Sequence, residues 1–209
     1  MIRVVLADDH AIVLGGLQRL LAETGDIEVV GTAADGRQAL KLCLGGGLAW
    51  DVLVLDLSLP RVGGQEVLRR VREALPEARV VVLSMYPEDQ YAQQIKRDGA
   101  AAYVSKASPP ETLVDAIRAV MAHGSWDSPV AAKDDARPAG EALPHRSLSS
   151  RELQVFNLVF EGQTVTDIAA QLDLHASTVS NHLRAIKTKL NVNSVAEIVR
   201  YAHRVGLID

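Results

Sequence analysis

Five residues in the first half of the chain stand where short apolar runs end: Asp8 and Asp9 after "IRVVLA", Asp56 after "DVLVL", Ser84 closing "RVVVLS", and Lys106 after "AAYVS". If one rim gathers them, it holds three carboxylates, a hydroxyl and an ammonium. Carboxylates within a few ångströms repel one another and raise each other's pKa unless a divalent cation sits among them. Oxygen ligands with positions left for water suit Mg²⁺. A carboxylate beside such a metal and a lysine can accept a phosphoryl group: the aspartate attacks, metal and ammonium neutralise the equatorial oxygens, and the hydroxyl donates a hydrogen bond. Asp56, at the end of a buried run, is the predicted acceptor. Singly, each residue has an ordinary use, because an aspartate after a strand shapes a turn and Asp8 or Asp9 can cap a helix beginning near His10. Their recurrence at matching ends is what points to chemistry. His10 has no partner visible in the sequence and is read as neutral to function.

The elements that must position this set are legible as period. Up to about His123, β-branched runs ("IRVVLA", "IEVVGTA", "DVLVLD", "RVVVLS", "AAYVS") alternate with segments of helical spacing, such as Val13, Leu17 and Leu20, Val67, Val71 and Leu75, and Leu113, Ile117 and Val120. This predicts five βα units around a parallel sheet, and in such sheets ligands bind beyond the carboxyl ends of the strands. Gly45, Gly46 and Gly47 mark a loop before the third strand. No G-x-x-x-x-G-K-[ST] occurs and no G-x-G-x-x-G follows the first strand, which argues against a nucleotide site.

Residues 124–145, "GSWDSPVAAKDDARPAGEALPH", lose the period and read as a linker, with Trp126 and Val130 available to pack on the first domain. From Arg146 to Asp209 no strand pattern returns. Four helical stretches make a small all-α domain, and in "STVSNHLRAIKTKL" the residues Val179, Leu183, Ile186 and Leu190 form the buried stripe. Ser177, Asn181 and Arg184 share another face with Ser180 and Lys187 beside them, and Lys189 follows. Short polar side chains near a helix start with cations further along suit a helix whose amino end enters the major groove of double-stranded DNA.

Length and composition allow two modest domains of ordinary globular type. The formal charge is -3 over 1–123, -2 over 124–145 and +1 over 146–209, so only the helical part leans toward a polyanion. A single cysteine, Cys43, permits neither an internal disulfide nor a thiolate metal site and reads as packing. No apolar run reaches the roughly 18 residues that span a bilayer, and the amino terminus lacks the order of a signal peptide, so the expectation is a cytoplasmic protein without membrane contact.

The motifs "LADDH", "LVLDLSLP", "VVLSMY" and "AAYVSKAS" resemble the receiver domain of two-component response regulators over residues 1–123. The resemblance implies a flavodoxin-like sheet of order 2-1-3-4-5. It implies phosphorylation of Asp56 by a sensor histidine kinase, Mg²⁺ at Asp8, Asp9, Asp56 and the backbone carbonyl of Ser58, phosphoryl contacts from Ser84 and Lys106, and a rotamer switch shared by Ser84 and Tyr103. Ser58 and Tyr86 occupy positions that tune hydrolysis of the phosphoryl group in such domains. Beyond promoting its own phosphorylation and slow dephosphorylation, such a chain is no enzyme. A haloacid-dehalogenase-type phosphatase also uses an aspartate after a strand, but it needs a second aspartate where Ser58 stands.

The segment from Leu148 to Val205, with "RE", "IA", "TV", "H" and "KL" in order, resembles the LuxR-type helix-turn-helix of the NarL/FixJ group. Carried over, Ser180, Asn181 and Arg184 contact bases, and Lys187 and Lys189, with Thr178, contact phosphates. Two departures matter. His175 stands where the family often has a serine cap, leaving the cap between His175 and Ser177, and Ser180 stands where a lysine is usual, which lowers affinity per monomer. Weak monomer binding favours a homodimer, for which the final helix offers Val195, Ile198, Val199 and Ala202. The rival reading is a phosphorylation-independent regulator that uses the receiver as a dimerisation module.

Overall fold

The computed structural model describes residues 1–85, 88–127, 144–160, 162–172 and 174–204. The chain divides into two compact units, Met1–Pro138 and Ala139–Asp209.

The first unit alternates strand and helix: β1 Ile2–Ala7, α1 Ala11–Ala22, β2 Ile27–Ala33, α2 Gly36–Leu44, β3 Val52–Leu55, α3 Gly64–Ala74, β4 Arg79–Ser84, α4 Glu88–Arg97, β5 Ala102–Ser105 and α5 Pro110–His123. All pairings are parallel and the order is β2-β1-β3-β4-β5, as expected. A parallel sheet covered on both faces needs strands that are apolar on both faces, and the four residues of β3 are each at most 2% exposed. One face, with Val4, Leu6, Val54, Val81, Leu83 and Val104, packs against Leu21 of α1 and Leu113, Ile117 and Val120 of α5. Burying each such aliphatic side chain stabilises the fold by roughly 2 kcal/mol.

Sequence explains where the helices stop. Leu75, predicted to continue the Val67 and Val71 stripe, is instead the residue after α3, with φ -131° and 40% exposed. Pro76 follows it, and a proline excludes the helical conformation from the residue before it. Gly124 closes α5 at φ 82°, a left-handed turn that glycine adopts without strain. Trp126 then packs on the α1/α5 core and its N–H donates to the Ala101 carbonyl at 3.0 Å. Val130 lies outside the described residues, as does most of the expected linker. Cys43 on α2 is 4% exposed, and burial pushes its thiol up to about 12.

The second unit holds a 3-10 turn over Pro144–Ser147, then α6 Ser150–Phe160, α7 Val165–Gln171, α8 Ala176–Leu190 and α9 Val195–Arg204. The predicted stripe is the core: Val179 and Ile186 are fully buried, Leu183 is 7% and Leu190 4% exposed. His145, read from the sequence as linker, is buried, and its Nδ1 lies 2.8 Å from the Tyr201 hydroxyl. On α9, Ile198 and Ala202 are buried together with Tyr201, Val199 is half-buried, and Val195 is 45% exposed. Among the described residues no helix is long and apolar enough to cross a membrane.

Candidate functional site

The rim is built by backbone ladders that run one residue past the strands. Asp8 donates its N–H to the Ala33 carbonyl at 3.0 Å, Asp56 to Ala7 at 2.8 Å, and Lys106 to Ser84 at 2.7 Å. Because Ala7 pairs with Leu55 and Ser84 with Ser105, the residues that follow emerge side by side. The Lys106 ammonium reaches both acids: Nζ donates to Asp56 Oδ2 at 2.8 Å and lies 2.6 Å from Asp8 Oδ2. Asp56 Oδ1 accepts the Ser58 N–H at 3.1 Å, and Asp8 Oδ1 accepts the His10 N–H at 2.9 Å.

Asp8 and Asp56 are 2% and 3% exposed, so neither is solvated as an ordinary carboxylate is. Burial pushes the Asp56 carboxyl upward, Lys106 opposes that, and Asp8 adds to it. For Lys106, burial alone lowers the ammonium, but attraction to Asp56 and Asp8 outweighs it and the net direction is up. The lysine therefore remains a cation at neutral pH.

Ligand atoms of Asp8, Asp9, His10 and Asp56 all lie within 4.8 Å of one another. One lysine faces three clustered carboxylates and contacts two of them, Asp8 at 2.6 Å and Asp56 at 2.8 Å, so the rim keeps net negative charge. A hard cation with oxygen preference fits that donor set. His10 turns out to have partners that sequence did not reveal, with Nδ1 2.8 Å from Asp9 Oδ1 and 3.3 Å from Asp8 Oδ1. It occupies the N-cap position of α1 without a side-chain cap bond, so neither Asp8 nor Asp9 is the cap residue.

Ser84 is fully buried at the end of β4 and Tyr103 is 1% exposed in β5. Val82 pairs with Tyr103, so Ser84 and Tyr103 are diagonal neighbours on one face of the sheet. Tyr86 lies outside the described residues.

In the second unit, α7 begins with Thr164, whose hydroxyl accepts the Asp167 N–H while the Asp167 carboxylate accepts the Thr164 N–H, a reciprocal cap. On α8, Ser180, Asn181 and Arg184 are exposed and Thr178 and Lys187 are partly so. Arg184 Nη1 donates to Asn181 Oδ1 at 3.3 Å, and Ser180 Oγ donates to the Ala176 carbonyl at 2.9 Å, leaving its lone pairs outward. An open cleft lined by Arg184, Lys187, Thr188 and Asn191 continues this face. His175 holds the cap position with extended backbone and no side-chain bond.

Lys189, expected among the phosphate contacts, has partners within its own unit. Its Nζ lies 2.6 Å from Glu152 Oε2 and 3.1 Å from the Ser147 carbonyl. Glu152 also accepts the Ser149 N–H at 2.6 Å, and although its burial works upward, these bonds hold its carboxyl below the usual range. Arg151 is likewise structural, donating to the Leu172 carbonyl at the end of α7 at 2.9 Å. Both halves of the "RE" pair thus bind within the second unit.

Matches to known proteins follow the same division. The response regulator receiver domain matches residues 4–118, and the bacterial regulatory proteins of the luxR family match residues 146–202. The chain is therefore a response regulator of the NarL/FixJ family, joining a receiver to a LuxR-type helix-turn-helix. Among individual relatives, the transcriptional regulatory protein LiaR of Bacillus subtilis is 36% identical over 213 residues, covering all of both chains. The response regulator UvrY of Escherichia coli K12 is 34% identical, covering all of this chain and 97% of the relative. RcsB from Salmonella enterica serovar Typhimurium, solved on promoter P1flhDC in the presence of the phosphomimetic BeF3-, superposes with a TM-score of 0.74 at 27% identity over 96% of this chain and 97% of its own.

Proposed function

We propose that Asp56 is phosphorylated by a partner sensor histidine kinase and that the phosphoryl group controls dimerisation and binding to specific double-stranded DNA. The observation that carries this reading is the pairing of the buried Asp56 with Lys106 at 2.8 Å, in a cluster where ligand atoms of Asp8, Asp9 and Asp56 lie within 4.8 Å of one another. An Asp56 oxygen attacks phosphorus on the kinase phosphohistidine; the new O–P bond forms as the P–N bond breaks, and the imidazole leaves with the electron pair. Lys106 neutralises a phosphoryl oxygen and the Ser84 hydroxyl donates to another. Asp8, Asp9, Asp56 and the Ser58 carbonyl would hold Mg²⁺, which when bound supplies positive charge to the phosphoryl oxygens. The change is stoichiometric modification of the chain itself, so turnover of a substrate is not its function.

Ser84, drawn toward the phosphoryl group, vacates space beside its diagonal neighbour Tyr103, and the tyrosine rotamer carries the change across β5. Phosphate must favour the competent state by about 1 to 3 kcal/mol, the usual scale of such coupling. In the second unit Ser180, Asn181 and Arg184 read bases while Thr178 and Lys187 hold phosphates. RcsB bound to promoter DNA with a phosphomimetic supports this reading, and RcsB dimers on DNA support a homodimer as the active form. The receiver spans 1–123, a linker 124–145, and the DNA-binding domain 146–209, which draws His145 into its core. The setting is the cytoplasm. A phosphorylation-independent regulator is the second reading, and the complete acceptor set argues against it.

Labelling with a small-molecule phosphodonor or kinase tests the proposal. Wild-type protein is expected to take up one acid-stable, base-labile phosphoryl group, and Asp56→Asn or chelation of Mg²⁺ to abolish it. Undiminished labelling of Asp56→Asn would falsify the acceptor assignment.

A further inference from the structure

The loop from Leu57 to Gly63 carries Ser58, the one metal ligand assigned to a backbone atom, so its affinity depends on where the chain is held. Leu57 and Leu59 are each 1% exposed and leave Ser58 between them at the rim. One end of the loop is pinched shut: the Gly64 N–H donates to the Leu57 carbonyl at 3.1 Å, and a Cβ at Gly64 would overlap the Asp56 carbonyl oxygen. The far end is held by the turn between β2 and α2. The Gly36 N–H donates to the Pro60 carbonyl at 3.3 Å, and a Cβ at Gly36 would overlap the Val62 carbonyl oxygen. Asp35, 1% exposed, accepts the Gln38 N–H at 2.9 Å with one oxygen and Arg61 Nη1 at 2.5 Å with the other. Arg61 has φ 66°, a left-handed backbone that a non-glycine residue keeps only when its surroundings impose it.

We propose that Asp35, Gly36 and Arg61 form a positioning latch, which clamps Pro60–Val62 against the start of α2 and thereby fixes the Ser58 carbonyl for the divalent cation. None of the three touches the ion. The inference rests on the reading of Asp8, Asp9, Asp56 and Ser58 as an Mg²⁺ site. It explains why a carboxylate that already caps α2 is also given a guanidinium from 26 residues further along the chain.

Two substitutions separate the latch from fold maintenance. Asp35→Asn keeps a side-chain oxygen to cap α2, and Arg61→Asn suits the left-handed backbone. Mg²⁺ affinity of the full chain is measured by calorimetry, with Mn²⁺ and its free-ion electron paramagnetic resonance signal as a second probe. Removing the Arg61 cation would tighten cation binding if charge alone mattered; the latch predicts the opposite, a weakening on the order of 10-fold, as is usual when a residue supporting a metal ligand is lost. Asp35→Asn is expected to match it, the double variant to lose no more than either single one, and Arg61→Lys to recover most of the affinity. Tighter or unchanged binding by Arg61→Asn, or losses that simply add, overturns the latch. If Asp35→Asn fails to fold, Arg61→Asn alone decides, since its side chain is exposed. Wild-type protein that binds neither metal overturns the underlying site reading instead.

Discussion

Lys106 Nζ lies 2.6 Å from Asp8 Oδ2 and 2.8 Å from Asp56 Oδ2, one ammonium between two buried carboxylates. Lysine charge tempers the acidic rim without saturating it. A cluster with its charge balanced would be inert, whereas one with net negative charge has a use for a cation.

Lys106→Met tests how much the rim depends on that charge. Removing one partner of a buried ionic group costs about 3 kcal/mol. Denaturant unfolding at pH 7 without divalent cation is expected to report a loss of that size in the first unit, shrinking in acid as Asp56, whose carboxyl burial pushes upward, takes up its proton. An unchanged midpoint at pH 7 would mean the acids were already neutral.

Lys189→Met separates a structural cation from a DNA contact. The second unit is expected to lose about 1 kcal/mol, since the lysine is partly solvated, while the slope of DNA affinity against salt stays as in wild type. A slope reduced by about 1 would restore Lys189 to the phosphate contacts. The partner sets the pH dependence: the Glu152 carboxyl is held below its usual 4.5, so its contribution is complete above that value and disappears as pH falls through the lowered one. Glu152→Gln is expected to flatten that acid limb.

Arg184→Ala and Lys187→Ala should fail differently on DNA. Arg184, beside Asn181 on the exposed face of α8, is expected to cost about 1 to 3 kcal/mol on the specific site and relax preference there. Lys187→Ala is expected to weaken specific and random DNA alike and lower the salt slope by about 1. Equal losses for Arg184→Ala on both DNAs would confine Arg184 to the backbone.

Gly15→Ala should stabilise the first unit. Gly15 sits in the interior of α1 with ordinary helical backbone, and a Cβ there meets nothing within 4 Å. Alanine in such a place is worth up to about 1 kcal/mol. Thermal unfolding is the measurement, and a lowered midpoint would mean that the glycine is required by something other than its own helix.

Period made most of the fold readable. Runs such as Val52–Leu55 and the Val179, Leu183, Ile186, Leu190 stripe are local patterns whose burial follows from spacing alone. The gathering of Asp8, Asp56 and Lys106 was readable for a related reason: in a parallel sheet every strand end reaches the same edge, so residues far apart in sequence share a position that can be counted. What stayed hidden depends on which side chain turns to which. The sequence placed Lys189 on a basic face, but its neighbour Glu152 comes from α6, 37 residues earlier. Asp35 and Arg61 sit in different turns, and only the docking of those turns brings charge to charge. His145 looked like linker because its partner Tyr201 lies at the far end of the domain.

Cys43 has a practical consequence. With its thiol buried and held protonated far above neutrality, maleimide chemistry at pH 7 should pass it by. A reporter dye or nitroxide spin label attached through a single introduced surface cysteine would then track domain rearrangement in a chain whose native sulfhydryl needs no prior removal.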